Sequence, residues 1–245
     1  MINDTTPGAI EAAPAGRPPQ LWAPTLIVFI SSACMMVLEL VAGRIVAPFV
    51  GVSLYTWTTV IGIILAGMSL GNFIGGRLAD RWASHRLLGG LFLLGGLTSL
   101  GVLAVDMLGA QMPSAWPIVV RIVALVTALF FVPAVLLGTI SPVVIKLSVD
   151  DLARTGSTVG RISAAGTAGS IIGTFATGFL LIAWFGTHAI VWGVAVVLIV
   201  MAVGFFFVST RARGRAIALV VALAAIAGAT AVASAEGWIA SRCTL

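Results

Sequence analysis

The chain has 245 residues, of which 60% are hydrophobic and only 9% are charged. Because a soluble domain of this size needs much more charge to cover its surface, this composition excludes a soluble protein and indicates an integral membrane protein. The net charge of +5 does not indicate a nucleic-acid partner, since the basic residues lie in short loops between apolar segments, where membrane topology already explains them.

The apolar segments predict an all-α polytopic fold with seven membrane spans in a lipid bilayer. Residues 1–20 are rich in Pro, Ala, Gly and Thr, which is typical of a disordered tail. Each later segment is near the roughly 20 residues that cross a bilayer core. The predicted spans are Thr25 to Val46, Tyr55 to Gly76, Leu87 to Gly109, Pro117 to Thr139, Val159 to Trp184, Ala189 to Val208 and Ala216 to Ala235. Residues 21–210 are expected to form a six-helix bundle, and residues 211–245 a seventh helix with a short tail.

Basic residues are distributed unevenly between the two ends of these spans. Ten of the thirteen Lys and Arg residues fall on one side. They are Arg17, Arg77, Arg81, Arg86, Lys146, Arg154, Arg161, Arg211, Arg213 and Arg215. Since cytoplasmic loops carry the excess of basic residues, this side is predicted to be cytoplasmic, with the N-terminus inside and the C-terminus outside.

Small residues recur at every fourth position in two of the spans. The second span has Gly67, Gly71 and Gly75, and the fifth has Ala165, Gly169, Gly173 and Thr177. A helix face without side chains lets another backbone approach closely, as in membrane helix pairs. The first and fourth spans also end alike, near Gly43 and Pro48 and near Gly138 and Pro142. The pattern favours two inverted three-helix repeats, as in transporters. The alternative is that small residues are simply common in membrane helices.

Four charged residues lie inside predicted spans, namely Glu39, Arg44, Asp106 and Arg121. Charges at bilayer depth are costly and usually mark a pathway or an internal pair. Counted along the helices, all four fall in one layer near the outer surface, and Glu39 with Arg121 is the predicted ion pair. One interpretation is a neutral clamp that holds spans one, three and four together. The alternative is an outward-facing site in which Glu39 and Asp106 attract a cationic ligand. Asn72 is a fifth polar group, expected to form an interhelical hydrogen bond.

The loop after the second span carries a recognisable motif. It reads Gly76-x-Leu78-Ala79-Asp80-Arg81 and resembles the first half of a loop signature of the major facilitator superfamily. The family usually continues with Gly, Arg and Lys, where this chain has Ala83, Ser84 and His85. The resemblance implies a cytoplasmic gate latch at Asp80 and Arg81. The alternative is a capped helix end with ordinary positive-inside charge.

A narrower resemblance extends over about Thr25 to Trp184. The segments that carry it are Glu39 to Pro48, Tyr55 to Trp57, Gly138 to Pro142 and Gly160 to Gly169. Together they resemble the membrane domain of bacterial fused major facilitator/spermidine synthase proteins, in which such a bundle precedes a soluble aminopropyltransferase-like domain. Only ten residues follow Ala235, without a Gly-rich nucleoside-binding loop. We therefore expect no catalytic residues, no enzyme activity and no cofactor in this chain.

Two functions of different classes follow from these patterns. The first is a transport-type protein, a half-sized major facilitator that acts as a homodimer on a small solute, with a cationic or polyamine-like solute as one option. The second is a non-catalytic membrane module that anchors or feeds a separate spermidine-synthase-like enzyme. A scaffold without a ligand is a third.

The resemblance places the protein in the bacterial cytoplasmic membrane. No metal site is expected, since His85 and His188 are predicted on opposite sides of the bilayer.

Overall fold

Six long helices make up the fold in a computed structural model that describes residues 22–113, 115–149 and 154–209, with side chains up to residue 206. They are α1 Trp22–Val50, α2 Leu54–Trp82, α3 His85–Ala110, α4 Ile118–Ser148, α5 Thr155–Trp184 and α6 Thr187–Ser209. All six are long and apolar enough to cross a membrane, as expected for a multi-pass membrane protein. The predicted tail and the predicted seventh span lie outside the described residues.

Serine side chains fix the starts of two helices. The Ser53 hydroxyl oxygen accepts a hydrogen bond from the backbone N–H of Thr56 at 3.2 Å, where α2 begins. The Ser84 hydroxyl oxygen accepts one from the N–H of Leu87 at 3.1 Å, where α3 begins. Serine is favoured at this position because its oxygen satisfies an N–H group that has no partner inside the helix. The α2–α3 turn therefore ends in a serine cap.

Two of the helices continue past their predicted ends through an internal proline. Pro48 lies inside α1 and Pro142 inside α4, although the predicted spans ended before both. Membrane helices tolerate proline where their surroundings satisfy the freed backbone groups. The Pro142 ring lies against Gly75, where a methyl group would come within 2.7 Å of the ring carbon Cγ. The absence of a side chain at Gly75 thus makes room for the proline of the neighbouring helix.

The helices pack most closely in three pairs, α2 with α4, α1 with α5 and α3 with α6. The first two pairs are parallel and follow one scheme, in which glycines of one helix face the backbone of the other. A Cβ atom at Gly71 would collide with the carbonyl oxygen of Val135, and one at Gly169 with the carbonyl oxygen of Phe29. One turn further, Gly75 faces Thr139 and Gly173 faces Ala33. Gly67 continues the first row against Phe131 and Ala134. The glycine stripes are therefore filled within one chain.

The bundle has α1 at its centre and α2 and α5 at its surface. Helix α1 contacts α2, α4, α5 and α6, whereas large apolar side chains on α2 and α5 are exposed, among them Phe73, Phe175 and Phe179. The α2–α3 and α4–α5 turns lie at one end of the bundle, which we call the basic side. The other three turns lie at the opposite side. Each of α4 and α5 contains one π-helical turn, at Thr127–Phe131 and Ala176–Leu181.

Candidate functional site

A polar cleft of about 330 Å³ lies between α1, α2, α4 and α5. Its polar lining residues are Ser31, Ser32, Asn72, Ser141, Ser163, Thr167 and Ser170, and its other lining residues are Val28, Met35, Met68, Leu137, Gly138 and Gly166. The volume is at the small end of the range for ligand pockets, roughly 300–1,000 Å³. None of the described residues that line the cleft carries an ionisable group.

The cleft occupies the half of the bundle that is nearer to the basic side. Ser141 is seven residues from the end of α4, and Ser163 is eight residues from the start of α5. At 1.5 Å per residue, both lie roughly 10–12 Å from those helix ends. Met68 is the middle residue of α2. The cleft therefore reaches from this depth to about the midplane of the helices.

Several polar groups in the cleft are left without a protein partner. The hydroxyl of Ser31 donates to the carbonyl of Val28 at 3.1 Å. By contrast, the side chains of Ser32, Asn72, Ser141 and Ser170 make no hydrogen bond to any residue that the structure describes. Asn72 was predicted to form an interhelical hydrogen bond; it is instead exposed on the cleft wall. Because polar groups at bilayer depth are costly without partners, the cleft is suited to water or a polar ligand.

The intramembrane charges do not form the predicted pair. Glu39 Oε2 and Arg121 Nε are both buried, and neither has a hydrogen-bond partner among the described residues. No ion pair joins these two side chains, although α1 and the first part of α4 are in contact. The Cα–Cβ bonds of helical residues tilt towards the N-terminus of their own helix. Since α1 and α4 run in opposite directions, the two side chains start out in opposite directions along the bundle.

The four charges also do not lie in one layer. The ring of Phe49 packs on Gly109, which places these two residues at the same level. Glu39 is ten residues before Phe49, and Asp106 is three residues before Gly109, so Glu39 lies roughly 10 Å deeper in the bundle. Arg44 is exposed on α1. The neutral clamp across α1, α3 and α4 is therefore not formed by these side chains.

Asp106 instead lies close to His188 of α6. Its carboxylate Oδ2 is 3.8 Å from His188 Nε2, and both side chains are largely exposed at the side opposite the basic side. The pair links the end of α3 to the start of α6. Nothing in the local sequence signals that these two helix ends meet.

At the basic side, Asp80 of the loop motif pairs with α4. Lys146 Nζ lies 3.0 Å from Asp80 Oδ1. The two side chains are 54% and 71% exposed, respectively. The pair therefore joins the basic-side ends of α2 and α4. The glycine-mediated contact between these two helices begins at Gly75, closer to the middle of the bundle. Arg81 is exposed, and open space surrounds Gly76. Sequence reasoning counted Lys146 only for topology and missed this partner, which is distant in the chain.

Within residues 22–113, 115–149 and 154–209, no group of three or more His, Cys, Asp or Glu side chains could hold a metal ion. Comparison of the chain with protein-family models, with curated proteins and with solved structures gave no match. The described residues that line the cleft offer hydroxyl and amide groups, which donate and accept hydrogen bonds and carry no formal charge.

Proposed function

We propose that the protein is a transport-type membrane protein, a half-sized major-facilitator-like bundle that moves a small solute. The observation that carries this proposal is the cleft, where four helices present hydroxyl and amide groups that have no partner among the described residues. Polar groups in such places mark solute pathways. Secondary transporters bind their substrates near the midplane, between structural repeats.

Two inverted three-helix units support this assignment. Exchanging α1 with α4 and α2 with α5 converts the Gly71–Val135 contact into the Gly169–Phe29 contact. The same exchange matches Asn72 with Ser170 across the cleft, so the cleft lies where the two units meet. In this exchange α3 and α6 also change places, so the α3–α6 contact is matched with itself.

The register of these contacts differs from the one that the sequence pattern indicates. The contacts match Phe29 of α1 with Val135 of α4. The sequence pattern matched Gly43 with Gly138, an offset of 95 positions against 106 for Phe29 and Val135, which is eleven residues out of this register. The repeat that we propose is therefore defined by contacts between helices and not by similar helix ends.

A homodimer completes the proposed assembly. Asn72, Ser163 and Thr167 are exposed in the single chain, so a second copy facing this side would close the cleft into a cavity. Because the glycine stripes are filled within one chain, they give no reason for dimerisation; the open cleft does. In this proposal the basic side faces the cytoplasm of a bacterial cell.

Solute flux into proteoliposomes tests the proposal. We expect at least one member of a labelled panel of polyols, sugars, amino acids and polyamines to enter faster than into protein-free vesicles. Ser141→Phe fills the cleft and should abolish this flux. Val200→Phe adds similar bulk at an exposed position on α6 and should preserve it. Absence of flux for every solute, or full flux in Ser141→Phe, would contradict the proposal.

A second candidate is a non-catalytic membrane module that serves a separate spermidine-synthase-like enzyme. It is supported by the residues of the narrower resemblance, because Ser163, Gly166 and Thr167 of α5 line the cleft and could pass a solute to a partner. Co-purification with a separately encoded synthase-like protein is the test, and failure of the two to associate in membranes would contradict it.

A further inference from the structure

We infer that the cleft takes an uncharged polar solute with several hydroxyl or amide groups, and not a cation. This inference rests on the cleft being the solute site of the proposed function. It specifies the chemical class of that solute. The sequence patterns had left a cationic or polyamine-like solute as one option.

The first argument is that none of the described residues lining the cleft carries a negative charge. A charged solute at membrane depth needs a counter-charge, since the penalty for an unpaired ion is large. Glu39 is about one turn beyond Met35 of the cleft wall, but it does not line the cleft, and its Oε2 is buried. The nearest basic residue along α5 is Arg161, two residues before Ser163 and exposed. Its charge would repel a cation at the mouth of the cleft.

Charges further along the helices do not change this balance. Asp80 is eight residues beyond Asn72 on α2, but it is paired with Lys146 at 3.0 Å. A carboxylate that already has an ammonium partner offers little net attraction to a second cation. Among the described residues, the cleft lining therefore offers no carboxylate to a cation, and Asp80 beyond it is already paired.

The second argument is the match of hydrogen-bonding groups. A serine hydroxyl donates one hydrogen bond and accepts others, and an asparagine amide does both. Solute hydroxyl and amide groups also do both, so they can satisfy Ser32, Asn72, Ser141 and Ser170 together. An ammonium group only donates and a carboxylate only accepts, so either would leave part of the wall unsatisfied. Met35 and Met68 provide flexible apolar surface for the C–H faces of such a solute.

The experiment uses a cysteine reporter in the full chain, purified into lipid nanodiscs. Cys34 and Cys243 are first replaced by alanine. Thr167→Cys then places a thiol on the cleft wall, at an exposed residue. The matched control is Ala168→Cys, which is also exposed but does not line the cleft and points about 100° away around the same helix. A neutral, water-soluble maleimide should label Thr167→Cys much faster than Ala168→Cys, because only the cleft is hydrated.

Protection from labelling then identifies the class of solute. The probes are sorbitol and myo-inositol, putrescine as a cation, and succinate as an anion. We expect one of the neutral polyols to slow the labelling of Thr167→Cys about tenfold at ten times its Kd, from the factor 1 + [L]/Kd. Putrescine and succinate should leave the rate unchanged. Protection by putrescine equal to that by the polyols, protection by no probe, or equal labelling of both thiols overturns the inference.

The two proposals fail in different ways. Polyol protection without flux of any solute into proteoliposomes would contradict transport while keeping the neutral binding site. Flux of putrescine together with putrescine protection at Thr167→Cys would support transport and overturn the inferred class of solute.

Discussion

Replacing Gly71 by alanine tests the close approach of α2 and α4. The new methyl group would collide with the carbonyl oxygen of Val135, and it would also lie 3.1 Å from the Cα of Gly138. Both neighbours are backbone, so no side chain can rotate away to make room. The two helices would have to separate along the whole row of contacts on either side of Gly71.

The expected magnitude follows from three contributions. Forcing a methyl group into a packed contact costs about 1–3 kcal/mol. Separating the helices also weakens the hydrogen bond from the Thr139 hydroxyl to the Gly71 carbonyl, now 3.2 Å long, which is worth about 0.5–1.5 kcal/mol. Against these costs, alanine stabilises a helix interior by about 0.5–1 kcal/mol relative to glycine. We therefore expect Gly71→Ala to lower the free energy of unfolding by about 2 kcal/mol.

The matched control is Gly62→Ala on the same helix. No atom lies within 4 Å of a Cβ at Gly62, so only the gain of about 0.5–1 kcal/mol from alanine should remain. Unfolding in mixed micelles with increasing dodecyl sulfate, followed by tryptophan fluorescence, measures both changes. If Gly71→Ala is as stable as Gly62→Ala, the reasoning about the α2–α4 contact is wrong. Gly169→Ala, with Gly160→Ala as its open control, repeats the test at the α1–α5 contact.

Three further predictions concern the charges and the topology. A double-mutant cycle with Asp80→Asn and Lys146→Ala should give a coupling energy of at most about 1 kcal/mol, because the pair is exposed; a coupling several times larger would point to a buried pair. Glu39→Gln should keep or raise the unfolding free energy, since the carboxylate has no partner to lose; a loss of stability would show that Arg121 depends on it. A reporter fused after Leu245 should be active only outside the cytoplasm, and cytoplasmic activity would remove the predicted seventh span.

The sequence by itself determined the helices and their close-packing faces. Apolar length is a local property, and it located six helices with errors only at their ends, as where α4 continues past Pro142. The four-residue spacing of Gly67, Gly71 and Gly75 is also local, because it places all three on one face of a helix whatever surrounds it. Neither signal depends on the position of any other segment.

Only the tertiary structure decided which groups meet. Asp80 pairs with Lys146 across 66 positions of the chain, and no local pattern carries that information. Whether Glu39 and Arg121 meet depends on how α1 and α4 pack against each other, which residue spacing along one helix cannot express. The cleft itself was missed because its serines are scattered over three helices and become a site only when these helices and α2 pack together. Hydrogen-bonding groups make a binding surface through their three-dimensional arrangement, whereas hydropathy acts residue by residue along the chain.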